Sequence, residues 1–237
     1  MEKIKLFGRR KGRKIRKAKT SLLERFLPKI AISENVVINS EIFTNPVEKM
    51  CLEIGFGGGE HLAGVSLIYP NKGYVGAEVF QNGIANLLSL MTGIKQSSQV
   101  PENITFLSAR SDNVRVFADD VRKLFLQTPD NTFDEIFLLF PDPWPKNRHA
   151  DRRFVNQQNI KELARILKKG GRLLIATDHQ VYKKWVLQQF RNNEFFYWTA
   201  KKSDDWRNPP QDWVETKYQK KAIREGRRPV FFDFCRK

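Results

Sequence analysis

The sequence is short of several things, and each shortage removes a class of protein. Only two cysteines occur, Cys51 and Cys235, with no CxxC pair, and the three histidines are scattered, so neither a disulfide framework nor a metal site is indicated. Both thiols read as small buried residues beside strands. No apolar run approaches the roughly 20 residues of a membrane-spanning helix, and the N-terminus lacks the apolar core of a signal peptide. The expectation is a cytoplasmic protein that does not engage a membrane. Acidic residues are scarce too: 26 Asp and Glu against 42 Lys and Arg leave a formal charge of +16. That excess exceeds what solubility requires and points to a polyanionic partner, nucleic acid first.

What is present is enough for one sizeable α/β domain with a real core. Residues 1–20 hold ten Lys or Arg against Glu2, with Gly8 and Gly12 interrupting any helix. They read as a flexible basic arm that neutralises phosphates, with a solubilising tail as the plainer alternative. Residues 21–237 then form the single domain. Its entry is a short amphipathic helix carrying Leu22, Leu23, Phe26 and Leu27. The Ser21 and Glu24 spacing would cap that helix and Pro28 would help to end it.

From Met50 the chain reads MCLEIGFGGGEHLAG, a short strand, a glycine loop and a helix beginning near Glu60. Gly55, Gly57 and Gly59 let the backbone turn sharply and approach a nucleotide-like ligand. A dinucleotide GxGxxG fingerprint is excluded, since it would need glycine where Glu60 or Leu62 stands. The pattern is GxGxG, with Glu53 two residues ahead. The next strand, in GYVGAEV, ends at Glu78, 19 residues after Gly59, where a carboxylate can accept both hydroxyls of a ribose.

Three further apolar runs end in acids. VRVFADDV delivers Asp119 and Asp120, either of which could instead cap the following helix. DEIFLLF stops at PDPWP, because proline cannot continue a central strand, and sets Asp142 at the edge beside Trp144. GRLLIATD delivers Asp178. Glu78, Asp120, Asp142 and Asp178 should therefore share the carboxyl edge of a mostly parallel sheet, where such folds bind ligands. Lys146, Arg148, His149, Arg152 and Arg153 crowd behind Trp144. Gly170 and Gly171 read as the close of the intervening helix. ITFL, inside the polar connection 92–112, is a candidate short strand. The terminal VFFDF reads as an antiparallel edge strand.

Taken together, EIGFGGG, GAEV, ADDV, FPDPWPKNRHADRR, GGRLLIATD and TKYQKK with EGRRP resemble one family, the bacterial tRNA (guanine-N7)-methyltransferases, over residues 51–230. The resemblance implies a Rossmann-like class I methyltransferase fold: an open, mostly parallel seven-stranded sheet with an antiparallel C-terminal edge strand and helices on both faces. It also implies S-adenosyl-L-methionine as donor, S-adenosyl-L-homocysteine as product, no metal, and guanosine 46 of the tRNA variable loop as target. Carried onto this chain, the donor would be held by Glu53, Gly55, Gly57, Gly59, Glu78, Asp120 and Asp142. The substrate would meet Lys146, Arg148, Arg152, Asp178, Thr216, Lys217, Tyr218 and Gln219, with Asp142 and Asp178 catalytic. Position 219 is Gln where the family usually has Glu, which removes a charge. The third acid could align as Asp112 or Asp120; one helix and one strand fit between Asp120 and Asp142, favouring Asp120. Monomer and homodimer are both compatible with the sequence, and no obligate protein partner is evident.

Two rivals share parts of this pattern. An amino-methyltransferase would hold an exocyclic amine at a PDPW-like turn, and a non-catalytic RNA-binding protein could sit on the same fold. The intact glycine loop argues against the second.

Overall fold

The computed structural model describes residues 6–95, 99–106, 112–211 and 213–237. One sheet of seven strands organises it: β1 (Lys49–Ile54), β2 (Lys72–Ala77), β3 (Val114–Phe117), β4 (Phe133–Leu139), β5 (Leu167–Thr177), β6 (Phe196–Trp198) and β7 (Val230–Arg236). Their spatial order is β3-β2-β1-β4-β5-β7-β6. The first five pair in parallel, while β7 runs antiparallel to both β5 and β6. The C-terminal strand is thus antiparallel, and the outermost position on that side is taken by β6, which the sequence reading passed over. Between β1 and β4 the chain's direction of travel across the sheet reverses, the point where open α/β sheets form a ligand crevice.

Central strands are apolar on both faces because helices cover both. Leu52, Ile54, Ile136 and Leu138 face the side covered by α5 (Val121–Leu126), α6 (Gln157–Ile166) and α7 (Gln180–Phe190). Cys51, Phe137 and Leu139 face α1 (Lys17–Arg25), α3 (Glu60–Ile68) and α4 (Gln81–Thr92). A four-residue helix, α2 (Leu27–Ile30), follows α1 with Pro28 in its first turn.

The structure differs from the sequence reading in three local places. The first helix starts at Lys17 rather than at Ser21, since Ala18 and Leu22, one turn apart, are both buried in the core that α4 shares. Ser21 is mid-helix and accepts from Arg25. Gly170 and Gly171 do not close α6. The helix ends at Ile166, and the glycines sit in an irregularity of β5, where Leu167 pairs with Phe133 and Arg172 with Glu135. Of the candidate strand ITFL, Ile104, Thr105 and Phe106 lie outside any strand and Leu107 lies outside the described residues.

Candidate active site

A cavity of about 430 Å³ opens at the carboxyl ends of β1, β2, β3 and β4. Gly55 and Gly57 line it after β1, Glu78 after β2, Asp119 and Asp120 after β3, and Phe140, Pro141, Asp142 and Trp144 after β4. Gly55, Gly57 and Gly59 all have positive φ, the left-handed backbone that favours glycine. At Gly57 a side chain is also barred by space, since a Cβ would lie 2.9 Å from the Tyr218 ring.

Glu78 is buried and its carboxylate is locked from below. Oε2 accepts the Gly57 N–H at 2.7 Å, and Oε1 accepts those of Val79 at 2.7 Å and Phe80 at 2.9 Å. Burial nevertheless raises its pKa above the ordinary glutamate value, the three N–H groups and Lys217 opposing that rise only in part. Asp120 is the N-cap of α5, and Arg122 engages both its oxygens, through its backbone N–H and Nε at 3.0 Å and through Nη2 at 2.5 Å. Asp119 pairs instead with Lys123 at 2.6 Å and Arg10 at 3.5 Å. Asp112 lies at the opposite end of β3, paired with Arg115.

The turn after β4 is held in sparsely populated backbone. Phe140 and Trp144 have φ of 52° and 41°, conformations that cost about 1–3 kcal/mol each and persist where surroundings enforce them. Arg153 braces the Trp144 end of this turn. Although charged it is only 4% exposed; it donates to the carbonyls of Pro143 and Trp144 at 3.2 and 3.0 Å and lies over the Trp185 ring at 4.5 Å. In the sequence Arg153 is one member of the basic cluster behind Trp144, and only the fold reveals its role. Arg152, by contrast, sits over the rings of both Trp144 and Phe7. Lys146 and Arg148 are exposed at a 3-10 turn, Asn147–Arg152.

The N-terminal segment reaches this mouth as well. Leu6, Phe7, Gly8 and Arg9 line the cavity, the Arg10 carbonyl accepts the Gln81 N–H, and Asn82 bonds the backbone of Gly12 and Arg13.

Asp178, the fourth strand-end acid, does not line this cavity. It borders a separate cleft with His179, Gly226, Arg227 and Arg228, and its Oδ2 is 2.5 Å from Arg227 Nε. Thr216 caps α8 (Lys217–Arg224), its Oγ1 accepting the Gln219 N–H at 3.1 Å. Tyr218 lines the main cavity, and Lys217 lies over its ring. Among the described residues, no three His, Cys, Asp or Glu side chains gather to hold a metal ion, and no helix is long and apolar enough to cross a membrane.

Residues 47–231 match the family model Methyltransf_4, described as "Putative methyltransferase". The tRNA (guanine-N(7)-)-methyltransferase of Rhodospirillum rubrum is 37% identical, covering 100% of this chain and 89% of its own. That of Paramagnetospirillum magneticum is 39% identical, with 100% and 94% covered. The chain belongs to the tRNA (guanine-N7)-methyltransferase family. A solved antibiotic-related methyltransferase shares the fold, with a TM-score of 0.54 at 14% identity, covering 87% of this chain and all of its own.

Within this methyltransferase the expected residues therefore divide. Gly55, Gly57, Glu78, Asp120, Asp142 and Tyr218 meet around one cavity together with Arg152. Asp178 stands in the neighbouring cleft. Glu53, expected at the donor, is turned away: strand alternation puts it on the face opposite Ile54, where its Oε2 is 2.8 Å from His61 Nδ1. Gln219 is buried and accepts the Trp213 Nε1–H at 2.5 Å. Arg227 and His61 were missed because neither stands at a strand end and a side-chain pairing leaves no local pattern.

Proposed function

We propose that the protein transfers a methyl group from S-adenosyl-L-methionine to N7 of guanosine 46 in the tRNA variable loop, forming 7-methylguanosine in the cytoplasm. The observation that carries this reading is the carboxylate of Glu78, pinned by three backbone N–H groups at the mouth of a glycine-turned cavity, in a chain of this family.

The cavity's chemistry fits the donor. Glu78 presents acceptors for a ribose diol, Val79, Val121 and Leu138 offer apolar walls for a purine, and the Asp120 carboxylate, which already accepts from Arg122, can also accept from an exocyclic amine. Asp142, with the glycine loop, would hold the amino-acid end. When bound, the donor supplies an electrophilic methyl group on a sulfonium centre.

The remaining work belongs to the chain's own residues. Guanine N7 carries a free lone pair at neutral pH, so no general base is required and rate must come from positioning and electrostatics. Asp178 can accept from the N1 and N2 donors of guanine, provided Arg227 shares or releases it. Thr216 already receives the Gln219 N–H on its oxygen, leaving its own O–H free to donate to O6, as Lys146 also can. A carboxylate beside the base offsets the positive charge that methylation creates. Lys146, Arg148 and Arg152, with the basic N-terminal segment, supply phosphate contacts.

The test is methyl transfer from labelled donor to unmodified tRNA carrying guanosine 46, beside an adenosine-46 variant, with product nucleosides identified. The reading expects 7-methylguanosine with the first substrate alone. A methylated exocyclic amine, or equal labelling of both RNAs, would overturn it.

A further inference from the structure

Glu53 and Gln219 were each expected at a ligand, and neither lines the main cavity. They are the two ends of one series of contacts, buried at Glu53, His61 and Gln219 and half-buried at Trp213. Glu53 is 2% exposed in a strand whose neighbouring positions are Leu52 and Ile54, and an ionised carboxylate there is costly unless paired. Its partner is His61, 3% exposed on the first turn of α3, at 2.8 Å. The His61 ring packs against those of Phe137 and Trp213, with centroids 5.2 and 5.1 Å away. Indole Nε1 is the one polar atom of a tryptophan side chain, and in Trp213 it donates to Gln219 Oε1 at 2.5 Å. The series then closes on itself. Tyr218, adjacent to Gln219, packs its ring against Gly57, four residues beyond Glu53.

We propose that His61 is a positioning residue, and that the Glu53, His61, Trp213 and Gln219 series fixes the 213–219 segment against the glycine loop. Cofactor side and substrate side are thereby set as one body. Glu53 and Gln219 act through this series. The proposal deepens the methyltransferase reading and rests on it for its kinetic consequence, but its structural content is testable without any RNA.

The experiment is hydrogen–deuterium exchange on the full chain, comparing the parent with Glu53→Gln, Gln219→Leu and, as the conservative control, Gln219→Glu, which keeps an acceptor for Trp213. Gln219→Leu should speed exchange at least fivefold across residues 53–62, and Glu53→Gln should do the same across 213–219; Gln219→Glu should stay within twofold. In the kinetic arm, Glu53→Gln and Gln219→Leu should each lower kcat on tRNA about tenfold or more while donor affinity by calorimetry stays within threefold. The double variant should lose no more than the worse single one, since two ends of one series are not independent. Exchange changes confined to the peptide around each substitution, or losses that multiply in the double variant, would overturn the proposal. If the parent itself methylates no tRNA, the functional reading falls and the exchange result still decides the series.

Discussion

The carboxyl edge of the sheet carries two sites of different construction side by side. Around the cavity, Glu78 is fixed by backbone donors that belong to the glycine loop and its own turn. In the neighbouring cleft, Asp178 is held by a side chain, Arg227, which is itself shared with Glu225. Backbone donors cannot leave, so the first carboxylate is preorganised for a ligand that recurs unchanged. An exposed guanidinium can leave, so the second can exchange its partner for a base edge. In the proposed function, this difference separates holding the donor from recognising the substrate.

Four changes probe that division, beginning with the largest effect. Asp178→Ala should lower kcat on tRNA by about 10²–10³-fold, the loss typical of removing a group that stabilises developing charge; single-turnover rates check this. A loss under threefold would move substrate recognition out of the cleft. Arg153→Ala should destabilise the fold by about 2–3 kcal/mol, because two strained-turn carbonyls lose their donor. At roughly 2–4 °C per kcal/mol for a chain of this size, Tm should fall by about 4–12 °C. An unchanged Tm would show that the turn holds without its clamp.

The third change is pH. Burial raises the Glu78 pKa, so its ionised, diol-accepting form is lost as pH falls through a value above the ordinary glutamate range. Donor affinity should weaken on acidification within that window, and calorimetry from neutral to mildly acid pH should show no such step in Glu78→Gln. The same raised pKa means the folded state binds this proton more tightly than the unfolded chain. Its contribution to stability is present below the unfolded value and lost as pH rises through the folded one. The smallest effect concerns the arm. Removing residues 1–16, which spares the core residues Ala18 and Leu22 of α1, should flatten the salt dependence of tRNA binding by about 0.7–0.9 in log–log slope for every phosphate that the arm had neutralised. An unchanged slope would leave the arm without an RNA role.

The cavity was easier to read from sequence than the cleft, for physical reasons. Apolar runs that end in an acid are a local signal, and a parallel sheet converts each into a position on one edge; hence Glu78, Asp120 and Asp142 meet. The glycine loop was legible because φ > 0 and close packing leave few other residues possible. Glu53 shows where local reading stops. A period of two sends it to the opposite face from Ile54, and whether that face holds a ligand or a histidine depends on a helix seven residues on. Arg153 and Arg227 were hidden in runs of like charge, where composition suggests solvent and only tertiary packing selects Arg153 to turn inward and Arg227 to pair with Asp178. The strand β6 escaped because three residues, FYW, carry too short a period to register.

The measurement that bears most directly on the two-site account is a crossed comparison of Glu78→Ala and Asp178→Ala, each assayed for donor affinity by calorimetry and for the single-turnover rate on saturating tRNA and donor. The account predicts that Glu78→Ala weakens donor binding by about 1.5–3 kcal/mol, the worth of hydrogen bonds to a charged group, while Asp178→Ala binds the donor within about twofold of the parent and loses turnover. Equal loss of donor affinity in both variants would contradict it, and would make the two carboxylates parts of a single cofactor pocket.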